Sequence, residues 1–197
     1  MRPFAVAILA GALGCNSCRG VDPPGVPGTP LEGTSSSAVV ASPEAPRPPS
    51  HANDPRWRRA MGDDPIEIER LALAVGAAEL LEGVEEGGEP RRVALLALPH
   101  ADDSDIALRR LGEIATAAKP GTAAQVLDAM LGIARRPRTQ RELLDPEGVR
   151  AAGAALVAIA SRPQAPREER ALAVSAARAL AERGYVDPTR IPPDLDP

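Results

Sequence analysis

From residue 63 onward, apolar positions recur at helical spacing in runs cut by proline and glycine. Leu71, Ala74, Val75, Ala78 and Leu81 share one face of a first helix that Asp64-Pro65 starts and Gly87-Gly88 stops. Pro90 opens a short helix over about 90–98, with Val93, Leu95, Leu96 and Leu98, and Pro99 ends it. Ala107, Leu111, Ile114 and Ala118 form the next stripe, with Ser104 as its expected cap. Pro120-Gly121 breaks that helix. Thr122 then caps one carrying Ala123, Val126, Leu127, Met130, Leu131 and Ala134. Asp145-Pro146 repeats the Asp-Pro start, followed by Val149, Ala152, Leu156, Ile159 and Ala160. The last helix, about 167–183, carries Leu172, Ala176, Ala179 and Leu180, and Gly184 suits its C-terminal end. Prolines 188, 192, 193 and 197 make the remaining tail non-helical.

No sustained two-residue alternation interrupts these runs, and aromatic residues make up only 2% of the chain, so strands are not expected. The expected class is all-α. The helical domain is placed at 63–186, with a Pro-rich tail at 187–197. Its faces are dominated by Ala set against Leu, which lets helix axes approach closely.

The N-terminal part has a different pattern. Arg2 is followed by an apolar run, Phe4 to Leu13, then Gly14 and Cys15. The run is too short to span a bilayer, which takes about 20 apolar residues, and it has the form of a secretory signal. These residues resemble a bacterial lipoprotein signal. Gly14 fills the small position before the cysteine, although Ala12 stands where Leu is commoner. The resemblance implies a signal peptide at 1–14 and lipidation of Cys15. Asn16, not being Asp, points to the periplasmic face of the outer membrane. Cys15-Asn16-Ser17-Cys18 is also a CxxC, but no second Cys or His pair completes a zinc site. Residues 15–62 read as the lipidated cysteine and a Pro/Gly/Ser-rich linker that buries too little apolar surface to fold. Pro46-Arg47-Pro48-Pro49 in it fits a PxxP pattern, read as spacer. Trp57, the only tryptophan, is expected to pack onto the domain that follows.

Two helices are alike. Ala107, Leu111, Ile114 and Ala115 can be laid on Ala152, Leu156, Ile159 and Ala160. Together with the fragments Leu111-Gly112-Glu113-Ile114 and Val149-Arg150-Ala151-Ala152, this resembles HEAT or armadillo repeats. The resemblance implies a short α-solenoid of two or three helix pairs; an irregular helical bundle is the alternative.

Candidate chemistry is sparse. No phosphate loop, nucleophile elbow or His-Glu-x-x-His is present. His100-Ala101-Asp102-Asp103-Ser104-Asp105 is the densest polar cluster, and its place before a helix favours capping over metal binding. Glu82–Glu89 reads as a solvated helix end. Arg109/Glu113 and Arg178/Glu182 read as pairs one helical turn apart. Arg135-Arg136-Pro137-Arg138 with Arg141 is the strongest basic patch, but the net charge of −4 argues against a nucleic-acid partner. No catalytic residue, metal ligand or cofactor is assigned. The expected function is a non-enzymatic, membrane-tethered protein-binding module of the cell envelope. The alternative is an accessory, pilotin-like or scaffold lipoprotein of an envelope assembly or secretion complex.

Overall fold

A computed structural model describes residues 50–136 and 143–193. Among them the chain is all-α, with no strand. The helices are α1 (Pro55–Ala60), α2 (Pro65–Glu86), α3 (Gly88–Ala97), α4 (Ala107–Ala117), α5 (Ala124–Arg135), α6 (Pro146–Ala160) and α7 (Arg167–Ala181). Single 3-10 turns lie at His51–Asn53, Leu98–His100, Ser104–Ile106 and Pro188–Arg190.

Asp-Pro starts three of the helices. The carboxylates of Asp54, Asp64 and Asp145 accept hydrogen bonds from the backbone N–H of Arg56 (2.7 Å), Ile66 (3.0 Å) and Gly148 (2.8 Å). Each satisfies an amide that the first helical turn leaves without a partner, while the following proline has no amide to lose. The Asp54-Pro55 start lies inside the stretch expected to be linker. That boundary moves: residues 50–62 belong to the folded body, because Trp57 and Ala60 are fully buried in its core.

The α2 stripe also needs correcting. Ala74 and Ala78 are exposed, and the buried residues are Ile68, Leu71, Ala72, Ala77, Leu80, Gly83 and Val84. At Gly76 the backbone has φ 73° and ψ 175°, so α2 is two helical segments, 65–75 and 77–86. A positive φ costs glycine little. The break resets the helical phase, so one stripe cannot be drawn through it. Leu96, expected to face inward, is exposed. By contrast, every apolar residue of the α5 and α6 stripes is buried.

Helices α4 and α5 form a hairpin, as do α6 and α7. Helix α4 packs on α6, and α5 packs on α7. Helix α2 reaches α4, while α3 and the Leu98–His100 turn reach α5. One layer therefore holds α2, α4 and α6, and the other holds α3, α5 and α7. The first layer is tight: a Cβ on Gly112 of α4 would stand 3.3 Å from Ala155 Cβ and 3.4 Å from Ala152 Cα on α6. Three of the four pairs aligned in sequence hold matching places: Ala107, Leu111 and Ala115 are buried in α4, as are Ala152, Leu156 and Ala160 in α6, whereas Ile114 is half-buried and Ile159 fully buried.

Both ends of the body are covered by short terminal segments. Trp57 of α1 lies on Gly83 of α2, where a Cβ would overlap the indole. At the other end Gly184, at φ 79°, ends α7, and the tail turns back so that Val186 lies on Gly153 of α6. The tail is thus not wholly irregular: Asp187 caps a 3-10 turn at Pro188–Arg190, and Ile191 packs against the core.

Candidate functional site

The polar loop between α3 and α4 holds the carboxylates of the His100–Asp105 cluster. Asp103 Oδ1 accepts the N–H of Ala77 at 2.8 Å, capping the second segment of α2 across the Gly76 break. Asp105, 2% exposed, accepts the N–H groups of Leu144 (2.6 Å) and Asp145 (3.0 Å), fixing the chain that enters α6. The expected capping of the following helix does not occur: Asp103 caps the second segment of α2, and Asp105 holds the two amides that lead into α6, whose own cap is Asp145. Ser104 does not cap α4: its hydroxyl is buried and has no hydrogen-bond partner. His100 and Asp102 face solvent, and Asp102 lies 3.6 Å from the Arg136 guanidinium.

Thr122 likewise leaves α5 uncapped and donates its hydroxyl to the Lys119 carbonyl at 2.7 Å. The carboxylate at that helix start is Glu169 of α7, 3% exposed, which accepts the Ala123 N–H at 2.7 Å. A charge-assisted bond of this kind explains how a glutamate can be buried there.

Of the basic patch, Arg136 donates to the Ala101 carbonyl, and its own carbonyl accepts from Arg183. It ties the end of α5 to the α3–α4 loop and to the end of α7. Pro137, Arg138 and Arg141 lie outside the described residues, as do Cys15, Cys18 and the PxxP stretch.

The acidic end of α2 is not simply solvated. Glu85 pairs with Arg110 at 2.8 Å, Glu89 pairs with Arg92 at 2.7 Å, and Glu86 holds the N-terminal segment. The expected Arg109/Glu113 pair is replaced. Arg110 bonds Glu113 at 2.9 Å, while Arg109 faces Asp145 at 3.7 Å. Held first by Glu113 and then by Glu85, the Arg110 guanidinium has its pKa raised.

These charges rim two shallow clefts that meet along α4. One lies between α4 and α6, with Gly112, Ala151 and Ala155 along it and Arg109 and Glu147 at its sides. The other runs toward α3 and α5, past Ile114, Ala118 and Gln125 to Arg91. Glu113 and Ala117 line both. Small side chains let a docked backbone come close, and the alternating charges at the sides can orient it. The sequence named Arg109 and Glu113. The first cleft depends on α4 and α6 lying side by side, and the second on α4 meeting α3 and α5, which no local pattern signals.

Among the described residues no group of three or more His, Cys, Asp and Glu side chains could hold a metal ion, and no helix is long and apolar enough to cross a membrane. No protein-family model, curated protein or solved structure matches this chain.

Proposed function

We propose that this chain is a non-enzymatic protein-binding module of the bacterial cell envelope, tethered through lipidated Cys15 and built as a short HEAT-like stack. The single observation that carries the binding role is the pair of joined clefts over α4, with small residues along them and charged residues beside them. The tethering role rests on the lipoprotein-like residues before Cys15 and the proline-rich stretch after it. A net charge of −4 fits a protein partner better than a nucleic acid. The anchor places the module at the periplasmic face of the outer membrane.

Two measurements test this. Intact mass and membrane fractionation of the full chain, beside Cys15→Ser, should show loss of residues 1–14 and an added acyl mass only with the cysteine. A photo-crosslinking residue at Thr116, in the α4–α6 cleft, should yield one discrete adduct in cells. Ala151→Glu, at an exposed position of that cleft, should abolish it. An unprocessed protein overturns the tether. An adduct that survives Ala151→Glu, or none at all, overturns the binding surface.

A further inference from the structure

Most of the charges lining the clefts over α4 are answered within the chain. Arg110 lies between Glu85 (2.8 Å) and Glu113 (2.9 Å), and Arg109 faces Asp145 at 3.7 Å. Arg91 of α3 and Glu147 of α6 also line the clefts, and they differ. Among the described residues neither side chain takes a hydrogen bond or an ion pair. Arg91 is half-buried and Glu147 is exposed. Arg92, the next residue of α3, is by contrast held by Glu89 at 2.7 Å and by Asp63. A half-buried guanidinium has already lost part of its hydration, and the protein around it screens less than bulk water does. A carboxylate that reaches Arg91 therefore gains more than it would at an open surface.

The two unanswered charges stand on opposite sides of α4. Arg109 meets Asp145, and Gly112 meets Ala152 and Ala155, so α4 and α6 run in the same direction. Glu147, in the first turn of α6, thus lies beside the start of α4. Arg91 lies across the helix, in the cleft that continues past Ile114 and Ala118 to Gln125. Between them the surface is made of small residues, Gly112, Ala117, Ala151 and Ala155. Gln125 is exposed and, among the described residues, its amide also has no hydrogen bond, so it can both donate to and accept from a peptide unit.

We propose that the α4 clefts bind an extended segment of another protein that carries an acidic side chain for Arg91 and a basic one for Glu147. The proposal rests on the reading of the clefts as a protein-binding surface and adds the chemistry of the partner. The charges of Arg110 and Glu113 satisfy each other and place no demand on it. At least the width of a helix with its side chains, about 10 Å, separates Arg91 from Glu147. An extended chain rises about 3.3 Å per residue, so the acidic and basic residues stand three or more positions apart. A nucleic acid would meet Arg91 but be repelled at Glu147. A segment of one sign is attracted at one side of α4 and repelled at the other, which is how such a pair of charges selects a partner.

The test uses the full chain with the photo-crosslinking residue at Thr116 and sequences the cross-linked segment by mass spectrometry. Arg91→Glu and Glu147→Arg should each lower the adduct yield at least ~10-fold. Glu82→Arg, exposed on α2 and outside both clefts, should leave it unchanged. Reversing the acidic residue of the cross-linked segment to Arg should restore the yield with Arg91→Glu, and reversing its basic residue to Glu should restore it with Glu147→Arg. Should Arg91→Glu lose helical dichroism, Arg91→Gln replaces it, with a loss again expected. An adduct that neither reversal weakens, or that no reversal in the segment rescues, overturns the proposal while leaving the clefts as a binding surface. So does a segment that lacks either charge, or a cross-link to nucleic acid. The absence of any adduct overturns both readings.

Discussion

Trp57 lies directly on Gly83, with its indole in the space a side chain at that glycine would need. The indole N–H points to Glu79 Oε1 at 3.4 Å, and Arg56 reaches the same oxygen at 3.0 Å. The His51 ring leans on the indole at 4.6 Å between centroids. Glu86 takes the Ser50 hydroxyl, the His51 N–H at 3.0 Å and the His51 imidazole at 2.6 Å. Residues 50–60 are thus a clasp over the second segment of α2, formed where the chain enters the folded body.

Gly83→Ala should lift the clasp. The added methyl meets ring atoms and not a flexible side-chain end, so the cost should be about 1–3 kcal/mol, as for other overpacked cores. Trp57→Ala should cost about 3–5 kcal/mol. Chemical denaturation followed by far-UV circular dichroism reads both. A Gly83→Ala protein as stable as the wild type would mean that the indole does not sit there.

The clasp should loosen in acid. The Asp54 carboxyl is held down from its ordinary 3.8 to about 2, first by the Arg56 side chain and then by the Arg56 N–H. The Glu86 carboxyl is lowered from its ordinary 4.5, first by the Ser50 hydroxyl and then by His51. A lowered carboxyl pKa means that the folded state favours the ionised form. The stabilisation is complete above the unfolded value and is lost as pH falls through the folded one. Asp54 therefore contributes fully above 3.8 and loses its share between 3.8 and about 2, while Glu86 begins to lose its share below 4.5. Because Trp57 is the only tryptophan, its emission reports the clasp alone. It should shift to the red over this window while helical dichroism persists, and Glu86→Gln should already be shifted at neutral pH. Emission that changes only together with helix content would refute this.

Asp105→Ala should destabilise the protein by about 1–3 kcal/mol, because the Leu144 and Asp145 amides lose their shared acceptor. Glu169→Ala should do the same through the Ala123 amide. Asp102→Ala, at an exposed position of the same loop as Asp105, should change stability by about 0.5 kcal/mol or less. Equal effects at Asp102 and Asp105 would contradict their different roles.

Ser104→Ala should leave stability unchanged or raise it by up to about 1 kcal/mol, because the hydroxyl is buried without a hydrogen-bond partner. A clear loss in thermal unfolding would show that the hydroxyl has a partner in solution.

Gly76→Ala should cost more than about 1 kcal/mol, because alanine is strained at φ 73°. The new methyl would also meet the Asp103 carboxylate at 3.3 Å. Part of the cost should therefore vanish in an Asp103→Ala background. Strict additivity in a double-mutant cycle would rule out that contact.

Local chemistry determined the all-α class, the Asp64 and Asp145 helix starts, the Gly184 helix end and the buried stripes of α5 and α6. Each of these depends on residues within a turn or two of one another, where spacing and capping chemistry are visible along the chain. The His100–Asp105 cluster showed carboxylates that would accept backbone N–H groups, but the helix expected from its local position, α4, is not the one they serve. Their targets were not legible, because Ala77 and Leu144 reach the cluster only once α2, α4 and α6 have packed. Nor could the chain reveal that Glu169 would cap α5, that Trp57 and Val186 would each settle on a glycine, or that the α2 stripe would change phase at Gly76. Those features join residues far apart in sequence, and only tertiary packing decides which carboxylate meets which amide and which glycine has a neighbour above it. The α4–α6 cleft belongs to the same class: it lies where Gly112 of α4 stands close against Ala152 and Ala155 of α6.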